Sequence, residues 1–296
     1  MKKFLYIFIT FLLTLNIANA KMKIVTTYPY IASITKEIVQ DKAQVDYLAF
    51  GNLDPHFVVT KPSLTVKLRD ADLLIINGAS LEVGWLPPLL NQANNAKIQP
   101  SSSGFLDLSQ FVKLIEKPEN VSRAAGDVHP EGNPHFHLDP YNILVISDVI
   151  TAKLCKLDTK NCPSYEENNK AFKQKFKEKL QHWNEKLTKV KGMKVVQYHK
   201  LYDYLLNRYQ IVAVGNIEPL PGIPPTARHL EKLIDTIKVE KVSLILQDVY
   251  HPTKPAQFLS EKSGVKYVIL PHDVGSLPQV KDIFTLFDEI VERLTQ

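Results

Sequence analysis

The run SYEENNKAFKQKFKEKLQHWNEKLTKVKG, residues 164–192, is the longest helical signal in the chain. Apolar side chains recur at Tyr165, Phe172, Phe176, Leu180, Trp183, Leu187 and Val190, close to the helical period, while lysines and glutamates fill the other faces. Ser164 with Glu167, just after Pro163, reads as a capping box, and Gly192 as the stop. About 26 residues of helix make a rod of roughly 39 Å. One small lobe does not need so long a rod, so the helix is expected to connect two.

Outward from it, both flanks alternate short apolar runs with amphipathic segments. Upstream, strands are expected at Met22 to Thr26, Gln44 to Phe50, Ala71 to Asn77 and Gly104 to Leu108. Helices fall between them: one from Pro29 to about Gln40, one opening at Lys61-Pro62-Ser63, one near residues 81–93, and one from about Tyr141 to Leu157. Downstream the scheme repeats with strands at Lys194 to Tyr198, Ile211 to Ile217, Val242 to Leu246 and Tyr267 to Leu270. Continuous apolar strands such as Leu73-Leu74-Ile75-Ile76 suit sheets covered on both faces. The class is therefore α/β: two lobes, each a mostly parallel four-stranded sheet flanked by helices, joined by one long connecting helix. The divisions are an N-terminal lobe over 21–163, the connector over 164–192 and a C-terminal lobe over 193–296.

Residues 1–20 stand apart. Lys2 and Lys3, the apolar run Phe4 to Leu15 and Ala18-Asn19-Ala20 read as a cleaved secretory signal peptide, too short to span a bilayer. No cysteine follows the run, so no lipid anchor is expected and the mature chain is read as a soluble periplasmic monomer starting at Lys21. The signal contains Lys2 and Lys3 and no acid, so its removal lowers the net charge from +5 to +3. That mild balance argues against nucleic acid as a partner. The only cysteines are Cys155 and Cys162. Export makes a disulfide the default, whereas a metal site would need closer spacing and a nearby histidine.

The chemistry concentrates in Gly126-Asp127-Val128-His129-Pro130-Glu131-Gly132-Asn133-Pro134-His135-Phe136-His137-Leu138-Asp139-Pro140, which holds three of the nine histidines. Imidazoles beside carboxylates on a proline-stiffened loop suit a divalent cation of intermediate softness. His56, His199 and Asp273 each lie past the carboxyl end of an expected strand, and His135 opens the turn into a helix. In open α/β sheets ligands bind beyond those strand ends, so facing lobes would join three imidazoles and one carboxylate, enough for a tetrahedral Zn²⁺ shell. Asp54-Pro55-His56 and Asn133-Pro134-His135 share one pattern, proline fixing the backbone before the ligand.

Thr26-Thr27-Tyr28-Pro29, the two Pro-His motifs, Leu138-Asp139-Pro140, the central helix and Tyr198-His199 together resemble the zinc/manganese-binding solute receptors of bacterial ABC transporters. The resemblance runs in order over nearly the whole mature chain. It implies a metal held between two lobes by His56, His135, His199 and Asp273, Zn²⁺ as the cargo with Mn²⁺ the alternative, and delivery to a membrane permease. His272, beside Asp273, is the competing fourth ligand. His129 and His137, with Asp127 or Glu131, are expected to form a weak accessory site that captures zinc, a periplasmic zinc donor protein being a further partner. His182, His229 and His251 read as ordinary surface or loop residues. A zinc hydrolase is the rival reading and an adhesin of the same fold a third, but no His-Glu-x-x-His helix or nucleophile elbow occurs, and nothing places Glu131 or Glu218 beside a metal as a base.

Overall fold

The computed structural model describes residues 21–118 and 129–296; the signal-peptide reading of residues 1–20, and Asp127, lie outside the described residues. The first sheet comprises β1 (Met22–Thr26), β2 (Ala43–Tyr47), β3 (Leu73–Ile76) and β4 (Phe105–Asp107), in the order β2-β1-β3-β4. The second comprises β5 (Lys194–Gln197), β6 (Val212–Asn216), β7 (Leu244–Gln247) and β8 (Tyr267–Ile269), in the order β6-β5-β7-β8. Every pairing is parallel. The second half thus repeats the first half's order, the first strand central and the second at one edge. Parallel pairing aligns all carboxyl ends along one edge of each sheet, and that alignment positions the site.

The helices are α1 (Pro29–Val39), α2 (Pro62–Arg69), α3 (Leu86–Ala93), α4 (Pro140–Leu157), α5 (Cys162–Leu187), α6 (Asp203–Tyr209), α7 (Ala227–Glu240), α8 (Lys254–Ser263) and α9 (Ile283–Thr295). α5 is the long connector, 26 residues. It buries Tyr165, Asn169, Phe172, Phe176, Leu180, Trp183 and Leu187 against α1, α4 and α9. Phe176 is the hub, its ring 5.2 Å from Trp183, 5.8 Å from Phe284 and 5.9 Å from Phe287. Asp288 on α9 accepts from Trp183 Nε1 at 2.9 Å and pairs with Lys179 at 2.7 Å. One continuous apolar core includes Ile24 and Leu74 of the first sheet, Phe176 of α5, and Val195 and Leu246 of the second sheet. The C-terminal helix belongs by sequence to the second half, yet it abuts α1, where Ile283 N donates to Ser33 Oγ at 3.0 Å.

α5 begins at Cys162, two residues before Ser164, and the expected capping box does not form: Asn161 is the N-cap, without a side-chain cap bond. The α4–α5 turn is held otherwise. Asp158 Oδ2 accepts from Asn161 Nδ2 and from Tyr165 OH, both at 2.7 Å, and a disulfide joins Cys155 on α4 to Cys162 on α5. A capping box does form at α9, between Asp282 and Thr285.

Candidate metal centre

The two Pro-His motifs adopt the same local turn. Asp54 Oδ1 accepts from the backbone N of His56 at 2.9 Å, and Asn133 Oδ1 accepts from the backbone N of His135 at 2.9 Å. Asn and Asp side chains bond the backbone two residues on in this way, and the intervening proline fixes the dihedral between. Further bonds anchor each turn. Tyr28 OH donates to the Pro55 carbonyl at 2.8 Å, and Asn133 Nδ2 donates to the Lys200 carbonyl at 2.8 Å, tying the first half's loop to the second.

His199 lies two residues beyond β5, at the carboxyl edge of the second sheet. The ring centroids of His56, His135 and His199 stand 5.4, 5.5 and 5.4 Å apart, each pair inclined by 79–83°. One nitrogen from each ring lies within 4.8 Å of the others. This near-equilateral propeller of imidazoles can cap one face of an ion.

The outer contacts decide which nitrogens are free. His56 Nδ1 donates to Asp54 Oδ1 at 2.8 Å and His199 Nδ1 donates to Glu218 Oε2 at 2.8 Å. A carboxylate can only accept, so the protons sit on Nδ1 and the Nε2 lone pairs are left to the centre. His135 is buried, and among the described residues neither of its ring nitrogens has a hydrogen-bond partner. Burial and the neighbouring His56 and His199 push its pKa far below the usual imidazole range, so it stays neutral. An orphaned neutral imidazole between two oriented ones fits a cation donor set.

Behind His199 runs a second layer. Glu218 Oε1 meets His251 Nε2 at 3.2 Å, and His251 Nδ1 donates to Asp248 Oδ2 at 2.8 Å. Burial opposes charge on both partners, but the hydrogen bonds and opposite charges prevail: His251 is pushed up to about 9 and Glu218 held down at about 2. Tyr198 stacks on His251 with ring centroids 4.2 Å apart. His251 is therefore no ordinary loop residue, and Glu218 is fixed beside the centre, not as a free base but as the acceptor for His199. Applying the strand-end argument to acids as well as histidines would have found Glu218, two residues past β6, and Asp248, one past β7.

The remaining candidates divide. Asp273 is buried and shares a void of about 10 Å³ with His135, Tyr28 and Tyr30, but it does not join the three-imidazole cluster. Burial raises its carboxyl to about 8. His272 is buried, its ring edge-on to Tyr250, with burial lowering it to about 4. His137 stacks on Tyr30 at 4.3 Å and donates from Nε2 to the His272 carbonyl at 2.8 Å. His129 lies elsewhere: its Nε2 is 3.2 Å from His56 Nε2, and it lines a cleft of about 290 Å³ with His135, His199 and Glu218. The structure thus sets His129 against His56, outside the three-imidazole cluster, and leaves His137 packed apart from both. His182 is exposed, and His229 Nε2 donates to the Asn216 carbonyl at 2.9 Å.

Residues 24–296 match the family model described as ZnuA, zinc-uptake complex component A, periplasmic. The zinc-binding lipoprotein AdcA of Streptococcus pneumoniae is 25% identical over 254 residues, 86% of this chain and 50% of that protein, so the chain spans about half the length of that relative. The high-affinity zinc uptake system protein ZnuA of Bacillus subtilis is 26% identical over 256 residues, 84% of this chain and 78% of that protein. The manganese ABC transporter lipoprotein PsaA of Streptococcus pneumoniae is 24% identical over 253 residues, 84% of this chain and 78% of that protein. In fold, a zinc-bound ZnuA deletion mutant superposes with a TM-score of 0.78 at 23% identity, over 93% of this chain and 97% of that chain.

Proposed function

The chain belongs to the periplasmic zinc-uptake component A family, and from that premise we propose that it is a receptor which binds Zn²⁺ in the periplasm and delivers it to an ABC-type permease. The observation that carries the proposal is the propeller of His56, His135 and His199, with Nδ1 of two rings held by Asp54 and Glu218 and both nitrogens of the third unpartnered. Asp273 enters as the position that the family resemblance marks for a fourth donor; it is buried and lines the same small void as His135.

Manganese is the second reading, favoured by the similar identity of the PsaA relative. The donor chemistry favours zinc, because nitrogen-rich shells of low coordination number suit Zn²⁺ and Mn²⁺ prefers oxygen donors. Against a hydrolase, Glu218 is engaged by His199 and His251, and Asp54 by His56, so neither carboxylate is free to act as a general base.

The test is metal analysis of the mature chain from Lys21 followed by competition titration of the stripped protein. One Zn²⁺ per chain, bound more tightly than Mn²⁺ and lost in H135A, is expected. Equal affinity for both ions would defeat the zinc assignment, and no binding of either would defeat the receptor reading.

A further inference from the structure

Resting on the receptor reading, we propose that His251 is a fixed imidazolium that draws charge from Glu218 and so loosens the hold of His199 on zinc, keeping the cargo releasable. The charge follows from what surrounds the ring. His251 Nδ1 lies 2.8 Å from Asp248 Oδ2, and Nε2 lies 3.2 Å from Glu218 Oε1. A neutral imidazole carries one ring proton and would turn its other nitrogen's lone pair on a carboxylate oxygen, acceptor against acceptor. With a carboxylate at each end, both nitrogens carry protons. Two tyrosine rings lie against the same imidazole: Tyr198 at 4.2 Å and nearly parallel, Tyr250 at 4.4 Å and tilted by 39°. Aromatic faces favour a cation in that position.

The backbone holds this ring in place. Just past β7, Asp248 Oδ1 accepts from Tyr250 N at 3.1 Å and from His251 N at 2.9 Å. An aspartate that bonds the backbone ahead of it fixes a turn in this way. Buried Gln247, the last residue of β7, donates from Nε2 to the carbonyls of Asp248 at 2.9 Å and His251 at 3.2 Å. Asp248 is itself buried. The turn is bonded at both its acid and its carbonyls, so the cation is a standing part of the site.

The consequence passes through Glu218, whose Oε2 accepts from His199 Nδ1 at 2.8 Å. A carboxylate behind a metal-bound imidazole raises its donor strength. This carboxylate is shared with a cation, so less of its charge reaches His199. Asp248, His251 and Glu218 together carry one net negative charge, where the two carboxylates alone would carry two. The His251 ring centroid is 6.2 Å from that of His199, and His251 is outside the three-imidazole cluster. It is a positioning residue that acts on the ion through Glu218. A residue that merely held Glu218 in place would weaken zinc binding when lost. One that drains charge from Glu218 tightens binding when lost, and the sign separates the two roles.

The test uses the mature chain from Lys21 as wild type, H251Q, E218Q and the double variant. Nitrogen-15 histidine labelling reads the protonation of His251 in the wild type at about pH 7, with and without zinc. Zinc affinity is measured by competition with a chromophoric chelator, and release by stopped-flow mixing with excess chelator. Both ring nitrogens of wild-type His251 are expected to be protonated in both states. In H251Q the dissociation constant and the release rate should each fall by at least about threefold. In the E218Q background the same substitution should change them by less than about twofold, because the path to His199 has been cut. A singly protonated His251 in the wild type would overturn the proposal. So would an H251Q protein that binds zinc no more tightly than wild type, or an H251Q effect undiminished by E218Q. Each of these leaves the receptor reading intact, whereas a wild-type protein that binds no zinc would overturn both. The wild-type protonation readout decides the charge even where a variant fails to fold.

Discussion

At the level of single residues, the three clustered imidazoles depend on groups set behind them. Glu218 accepts from His199 Nδ1 and from His251, so E218Q, which keeps the shape and loses the charge, is expected to weaken zinc binding by about 10–100-fold with little change in fold, read by chelator competition. His251 supplies a pH signature. Its folded pKa of about 9 lies above the ordinary value near 6.5, so its contribution to stability is fully present below about pH 6.5 and is lost as pH rises through about 9. The melting temperature of the metal-free protein should therefore exceed that of H251Q at pH 6.5, with the gap closing towards pH 9 and beyond. A gap independent of pH would mean that His251 acts by packing on Tyr198 alone. At this scale His56, His135 and His199 are legible because proline motifs and strand ends mark them. Asp248 carries the same strand-end mark, whereas His251 lies four residues past β7 and only the fold brings it to Glu218.

At the level of elements, the long helix was legible because its apolar period persists over many turns, and its start was not. The expected cap at Ser164 and Glu167 depends on local sequence alone, whereas the observed start is fixed by the disulfide and by Asp158 reaching Asn161 and Tyr165. Replacing both Cys155 and Cys162 by serine is expected to cost about 2–2.5 kcal/mol of stability, by the entropy of the small closed loop, and to leave zinc affinity unchanged. Urea titration with metal removed measures it. F176A should cost more, about 3–5 kcal/mol, because the ring contacts Trp183, Phe284 and Phe287 in a packed core that cannot close around the void. A loss no greater than that of the serine pair would mean that α5 and α9 repack.

For the molecule as a whole, alternation of strand and helix revealed the parallel class, and the strand order within each sheet lay beyond it. Crossover handedness restricts that order, yet which strand becomes central depends on contacts distant in sequence. The packing of α9 on α1 and α5 was equally hidden, and it bears on how the protein moves. A core continuous from one sheet through α5 to the other resists wide hinging. Scattering profiles of metal-free and zinc-loaded protein are therefore expected to superimpose, and a marked compaction on loading would contradict the rigid connection.

That rigid connection sets a clock. Turns preorganised by Asp54, Asn133 and their prolines lose little freedom when an ion arrives, so the binding energy they save appears as a long residence time rather than as faster capture. With the two sheets unable to swing apart, spontaneous departure requires one ligand-bearing loop to peel back while the rest stay in place. On the receptor reading proposed above, unloading falls to whatever grips that loop, and the lifetime of the loaded protein in isolation measures how much force the proposed permease must supply.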